Sequence, residues 1–384
     1  MRLSLRRLRD PRAVAVGRPL SSRLASVASV ASVASLAASA ASAAAFAAVV
    51  AAGGCSPNAV CKLAGPINDP SNYTLRRSIM SFGLGQFCQQ MTAHNAPLKL
   101  TPDANVVGRF FPQHCTQQTL QNGDLWVQFD GIGYAWTALS KKVTFTSAAT
   151  IQYNQDFKCA EDNAIYAYFD TRSVSAPDFR VGQIEQPVAN LMQNWITPFA
   201  DTFGQQMVSG QLGQGFTVIQ ETNGSVDFSI GHLPVGTHPS HPYDVHGADR
   251  VTYENLRTEV HTGERDFIGP ITVEGSGRAI FVKMHLEGVQ AADVFVVPKA
   301  EGDASLQLYT QYGAVGALAY PPRFADVVQA GVEYQRAVPV AAGMYYVVLD
   351  NTSAAGQAAP PPPLFGVGDT AAVVNYVIQL GDAP

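Results

Sequence analysis

The chain has 384 residues, 25 of them Lys or Arg and 30 Asp or Glu, for a net charge of −5, and 47% of it is hydrophobic. About 330 residues follow position 54, enough for two domains at the usual 100–200 residues each. The acidic balance excludes a nucleic-acid partner, because an anionic surface repels a phosphate backbone.

Residues 1–24 carry Arg2, Arg6, Arg7, Arg9, Arg12, Arg18 and Arg23 against the single acid Asp10, and residues 24–52 carry no charge. A basic flank, an apolar run and small residues at its end define a secretory signal. A spanning helix would need about 20 apolar residues, but this run is Ala and Ser, which hold weakly in hydrocarbon. It ends Val49-Val50-Ala51-Ala52-Gly53-Gly54 before Cys55 and the polar Ser56-Pro57-Asn58. That junction resembles the lipobox of bacterial lipoproteins, with Ala52 where Leu is usual. The resemblance implies a signal peptide over 1–54, diacylglycerol on Cys55, and a lipid-anchored place in the bacterial cell envelope. Ser56 after the cysteine, rather than Asp, implies the outer membrane. Removing the signal leaves 18 basic residues (25 less seven) and 29 acidic ones (30 less one), a net charge of −11. The membrane is then a partner through the acyl chains alone.

Cysteine parity agrees. With Cys55 lipidated, Cys61, Cys88, Cys115 and Cys159 remain, and an even number in an oxidising compartment closes into two disulfides. All three pairings stay open.

Residues 55–72 read as a tether, with Ser71 or Asn72 capping a helix. Leu75, Ile79, Phe82, Phe87 and Met91 then follow at helical steps, an amphipathic helix of roughly five turns weakened by Gly83 and Gly85. From Leu98 to Phe169 the period falls to two. Val143, Phe145, Ala149, Ile151 and Tyr153 alternate with polar residues, as do Leu125, Val127 and Phe129, and Ile165, Ala167 and Phe169. Asn122-Gly123 and Glu161-Asp162-Asn163 supply turns, which predicts an antiparallel meander. Ile184, Val188, Leu191, Trp195, Phe199, Phe203 and Met207 form the longest helical stripe of the chain. Pro198 should kink that helix near Trp195. The stripe reads first as core packed on the meander; the other reading is a ligand groove lined by Leu191, Trp195, Phe199 and Phe203. A meander wrapping a long apolar helix resembles, in element order over 73–235, the tubular lipid-binding proteins, which implies an amphiphile-binding interior. Phe216–Ile219 and Val226–Ile230 return a hairpin to the sheet.

Residues 236–263 read as a His- and Pro-rich linker. From Asp266 the chain reads as all strand: Ile280 to Leu286, Val294 to Val297, Leu306 to Leu308, Tyr345 to Leu349 and Val373 to Leu380 predict a β-sandwich over 264–384. Ala342-Gly343-Met344-Tyr345-Tyr346-Val347-Val348-Leu349-Asp350-Asn351 resembles the penultimate strand of the pre-peptidase C-terminal sandwich modules appended to secreted bacterial enzymes. Pro360 to Pro363 reads as an exposed loop of polyproline character. The expected class is therefore α+β: an antiparallel meander packed on a long helix in 73–235, followed by an all-β sandwich.

Chemistry-bearing motifs are sparse. The chain has no Gly-x-Ser-x-Gly, Ser-x-x-Lys, His-Glu-x-x-His or phosphate loop; Gly210 to Gly215 follows a helical pattern rather than opening one and reads as a C-cap. His232, His238, His241, His246 and His261 cluster in sequence with Asp244. His238, His241 and His246 would be the metal ligands, but no regular scaffold fixes them, so the expectation is no metal and no cofactor. The sequence thus points to a lipid-anchored, non-enzymatic envelope lipoprotein with a structural or interaction role. A carrier of lipid or another amphiphile ranks second and a metal-dependent enzyme a distant third. The protein or amphiphile partner is not named by the sequence.

Overall fold

A computed structural model of the chain describes residues 57–101, 103–136, 142–184, 214–245, 249–311, 315–360 and 370–384. All belong to one compact unit, Cys55–Pro384. The fold is mostly β, built from a large sheet and a second sheet. The α+β class holds only loosely: the described helices are short, and the long helix expected from Ile184 to Met207 falls almost wholly outside the described residues.

The described residues open with two single-turn helices, α1 (Pro57–Cys61) and α2 (Ala64–Asn68), and a 3-10 turn over Pro70–Asn72. Asp69 caps this turn, which places Ser71 and Asn72 inside it. Its carboxylate accepts from the Ser71 backbone N–H at 2.8 Å, with Pro70 at the position where a missing N–H costs nothing. The expected five-turn helix is interrupted where Gly83 and Gly85 weaken it: α3 (Tyr73–Gly83) and α4 (Phe87–Ala93) flank a 3-10 turn at Leu84–Gln86. Its buried line runs Arg76, Met80, Leu84, one step beyond the half-buried Leu75 and Ile79. That shift is set by Arg76, which an apolar reading passes over.

The meander is present as β1 (Ala96–Lys99), β2 (Val106–Thr119), β3 (Leu125–Trp136), β4 (Lys142–Cys159), β5 (Ile165–Ile184), β6 (Phe216–Gln220) and β7 (Val226–Ile230). Odd-numbered residues of β4 from Val143 to Cys159 are buried while its even-numbered ones from Thr146 on are wetter, the alternation of a sheet with one core face. In β5 the pattern is more mixed than Ile165, Ala167 and Phe169 suggest. Tyr166 packs with Ala160, Ala164 and Ile219 on one side, and Phe169 stacks on Phe216 at 4.5 Å on the other. Asn163 (φ 67°) and Gly123 (φ 78°) take the left-handed conformation that their turns require.

Part of the stretch read as linker is a strand, β8 (Val251–His261). Beyond it lie β9 (Glu264–Val273), β10 (Arg278–Glu287), β11 (Ala291–Pro298), helix α5 (Lys299–Gln311), β12 (Phe324–Gln329), β13 (Tyr334–Val340), β14 (Gly343–Asn351) and β15 (Ala371–Asp382). The expected strand at Leu306–Leu308 is therefore helical. Leu306 is 4% exposed and Leu308 47%, a split that two residues on one strand face would not show. Buried Gly302, Ser305, Leu306 and Tyr309 instead repeat at helical steps.

Strand order in the large sheet is β13-β10-β15-β8-β2-β3-β4-β5-β6-β7, with β1 on β2; the second sheet runs β12-β11-β14-β9. The two sheets face each other across one core. It holds Ile280, Val282 and Met284 of β10, Val294 and Val296 of β11, Val347 and Leu349 of β14, and Val374 and Ile378 of β15. Phe111, Tyr134 and Trp136 from β2 and β3 belong to the same core. The junction of β2 with β8 is parallel and spans a single pair, Val106 with Thr258. Such a ladder is weak, so side chains must fix it.

Candidate functional site

The N-terminal segment is docked rather than loose. Cys61 of α1 is bonded to Cys159 at the end of β4, and Cys88 of α4 to Cys115 of β2. Asn68 exchanges two hydrogen bonds with the Cys159 backbone, at 3.0 and 3.1 Å, and Ile67 is buried. Arg76 grips both Asp156 oxygens at 2.7 and 2.8 Å and donates to the carbonyls of Ile67 and Asp69. Arg77 reaches Asp124 at 2.5 Å. The expected tether over 55–72 thus does not hold for 57–72. Four of the five cysteines pair with one another; Cys55 lies outside the described residues.

The densest polar constellation sits where β2 meets β8, and Arg109 is its centre. Fully buried, it holds Asp266 of β9 through Nε and Nη2 (2.6 and 3.0 Å) and Glu254 of β8 through Nη1 (3.0 and 3.2 Å). It also donates to the Asn95 side chain and the Tyr376 hydroxyl. Tyr134 and Thr258 donate to Asp266, and Tyr376 donates to Glu254. Burial opposes the charge on Arg109, but Asp266 and Glu254 outweigh it and hold the guanidinium well above its usual range. Burial pushes the Tyr134 and Tyr376 hydroxyls well up. Every charged group here is engaged by a neighbour, one guanidinium against two carboxylates, so the cluster clamps β2, β8 and β9 together. Sequence reading missed it. Its trace is a lone arginine inside the apolar run Val106-Val107-Gly108-Arg109-Phe110-Phe111. A second buried group, Glu264, accepts from the Tyr309 hydroxyl at 2.6 Å and lies 3.6 Å from Lys142.

The histidines do not converge. His232 pairs with Asp170 at 2.8 Å, His238 with Glu221 at 3.6 Å, and His261 with Glu259 at 3.2 Å. His241 places Nε2 2.7 Å from Asp227 of β7 and Nδ1 2.7 Å from the Asn255 carbonyl of β8. Both nitrogens face acceptors, a geometry that favours the doubly protonated ring over a metal ligand. Burial works against that charge, yet the bonds to Asp227 and Asn255 raise its pKa above the usual value. Among the described residues no three His, Cys, Asp or Glu are placed to hold a metal; His246 lies outside them. Thr252 N donates to Ser225 Oγ at 2.8 Å beside His241. β7 and β8 thus end the seven-strand run from β8 through β2 to β7 and yet touch: the sheet curls into an incomplete barrel closed by side chains.

Among the described residues, a concavity lies against β11 and β12 of the second sheet. It encloses about 480 Å³ between Phe295, Leu318, Tyr320, Pro321, Pro322 and Asp293. Asp293 is spent on the backbone: its two oxygens accept from Gln357 and Ala358, each at 2.9 Å. Burial raises its pKa against those two bonds. The concavity offers mainly apolar contact; its other carboxylate, Asp326, accepts from Arg336 at 2.8 Å and from Tyr334. The groove residues expected from the sequence, Leu191, Trp195, Phe199 and Phe203, lie outside the described residues. No family model and no curated protein matches this chain.

Proposed function

We propose that the protein is a bacterial envelope lipoprotein, held by acyl chains on Cys55 and acting as a structural or interaction module rather than an enzyme. The observation that carries this reading is the cysteine pairing. Cys61–Cys159 and Cys88–Cys115 use four of five thiols, which leaves Cys55 as the odd one, at the junction where a lipobox-type signal ends. Two disulfides also suit an oxidising, extracytoplasmic compartment. The buried charges support a scaffold role, because Arg109, Asp266 and Glu254 satisfy one another. The test is intact mass of the membrane-extracted protein, with Cys55→Ser as comparator. Diacylglycerol on Cys55, and release of the Ser variant into the soluble fraction, are expected. A membrane-bound Ser variant that keeps its full signal overturns the reading.

A second reading, a carrier of lipid or another amphiphile, draws on the curled meander. Its interior carries an aromatic ladder in which Tyr153 meets Phe216 at 5.3 Å and Phe87 of α4 meets Phe169 at 5.6 Å. In the first reading the apolar helix read from Ile184 to Met207 packs on that ladder as core; in the second its stripe stays open to ligand. Native mass spectrometry of the purified protein separates them, since only a carrier retains a stoichiometric lipid beyond the anchor.

A further inference from the structure

The length of chain between the anchor and the first fixed point decides how the protein sits on its membrane. A loose tether over 55–72 would span roughly 23 Å on average and about 58 Å when extended, and the folded body would tumble freely beneath it. The structure removes that slack. Two peptide steps separate Cys55 from Pro57, at most about 7 Å. The five residues of α1 add about 6 Å, and at Cys61 the chain is covalently fixed to Cys159.

Cys159 marks one end of the strands of the curled sheet. It closes β4 just before the hairpin turn Ala160–Ala164. The pairing of Ile165 with Gln220 sets the neighbouring turn, Glu221–Gly224, beside it. The loop after β7 lies against the same end, where the Tyr166 hydroxyl donates to the Thr237 carbonyl and Leu233 packs on Ala160, Ala164 and Ile219. We infer that this end, formed by α1, α2 and the two hairpin turns, rests on the bilayer surface and gives the protein one fixed orientation. The inference rests on the lipidation of Cys55.

The surface there fits a headgroup layer. Leu63 and Val235 are exposed apolar residues. Exposed Lys62 and Lys158 stand among Glu161 and Asp162, a mixed set that suits zwitterionic headgroups better than a uniformly anionic bilayer. The acyl chains supply the affinity, and the short connection supplies the orientation.

The test places a tryptophan at Leu63 (L63W) or at Val332 (V332W), the latter beside β13, which five strands separate from β4 in the sheet order. Each lipidated variant is reconstituted into phosphatidylcholine vesicles carrying a spin-labelled phosphatidylcholine, and quenching is read as the excess over the unsubstituted protein. Excess quenching at Leu63 several-fold above that at Val332 is expected. It should fall to the Val332 level when about 15 Gly-Ser residues are inserted between Ser56 and Pro57, a spacer whose average span restores the slack of a loose tether. Equal quenching at both sites in a protein whose mass shows acylated Cys55 overturns the orientation while leaving the anchor intact. A contrast that survives the spacer overturns the short connection as its cause. An unmodified Cys55 in membrane-extracted protein overturns both readings.

Discussion

Residues 57–245 and 249–384 solve the same problem differently. The second region buries two sheets against each other: β11 and β14 are covered on both faces over most of their length, and the region has no cysteine. The first curls one sheet around a thinner interior, leaves one face of β4 half wet, and carries both disulfides and the ion pairs of Arg76 and Arg77. Burial is thinner where only one layer curls back on itself and both disulfides lie there, whereas the second region holds a buried ion pair of its own, Arg265 with Asp350. The lesson is that staples mark the part of a fold with least apolar area per residue.

The largest test asks whether the regions are one body. Arg109→Ala leaves Asp266 and Glu254 buried without their cation, which should cost about 3–5 kcal/mol. Urea unfolding of the mature chain is expected to show either that loss in a single transition or two separated transitions as the junction opens. A loss below about 1 kcal/mol would mean that the single Val106–Thr258 pair and the shared core hold the halves unaided.

Next in size are the staples. Replacing Cys61 and Cys159 together with Ser opens a closed loop of 98 residues, against 27 for Cys88 and Cys115. Chain entropy puts the first loss at about 4.7 kcal/mol and the second at about 3.6. Hydrogen exchange should place both losses in 57–245 and leave β9, β11 and β14 protected. Equal deprotection of the second region would erase the contrast between the two.

The same contrast explains what could be read from sequence. Period-2 runs such as Val143 to Tyr153 were legible because one wet face forces alternation, and cysteine parity was legible because it needs no geometry. Leu306 and Leu308 misled because Gly302 and Ser305 hide a helical face behind small polar residues. Arg109 misled because its partners lie 145 and 157 residues away; only three-dimensional pairing turns a lone charge in an apolar strand into a clamp. The same holds for Val251–His261, whose strand character comes from pairing with β15 rather than from its own composition.

A core truncation gives a smaller, local effect. Leu306→Ala removes a buried side chain that seats α5 on the second sheet, at an expected 2–3 kcal/mol, whereas Leu308→Ala, half exposed on the same helix, should cost under about 1 kcal/mol. Equal losses at the two positions would restore the strand reading of that segment.

The smallest effect probes the seam that closes the curled sheet. His241 bonds two acceptors only as imidazolium, and its folded pKa is raised above the unfolded value. A group raised on folding stabilises fully below its unfolded pKa, near 6.5, and that contribution is lost as pH rises through the folded pKa. Wild type should therefore exceed His241→Gln in melting temperature at pH 5.5, and the gap should shrink toward pH 8.5. Asp227→Asn should flatten the same profile, because it removes the carboxylate that holds the proton. Lys99 stands near this group with like charge and works against its protonation, so the bonds to Asp227 and Asn255 set the sign. A gap that widens with pH would mean that His241 folds neutral and that β7 is held to β8 by Ser225 and Thr252 alone.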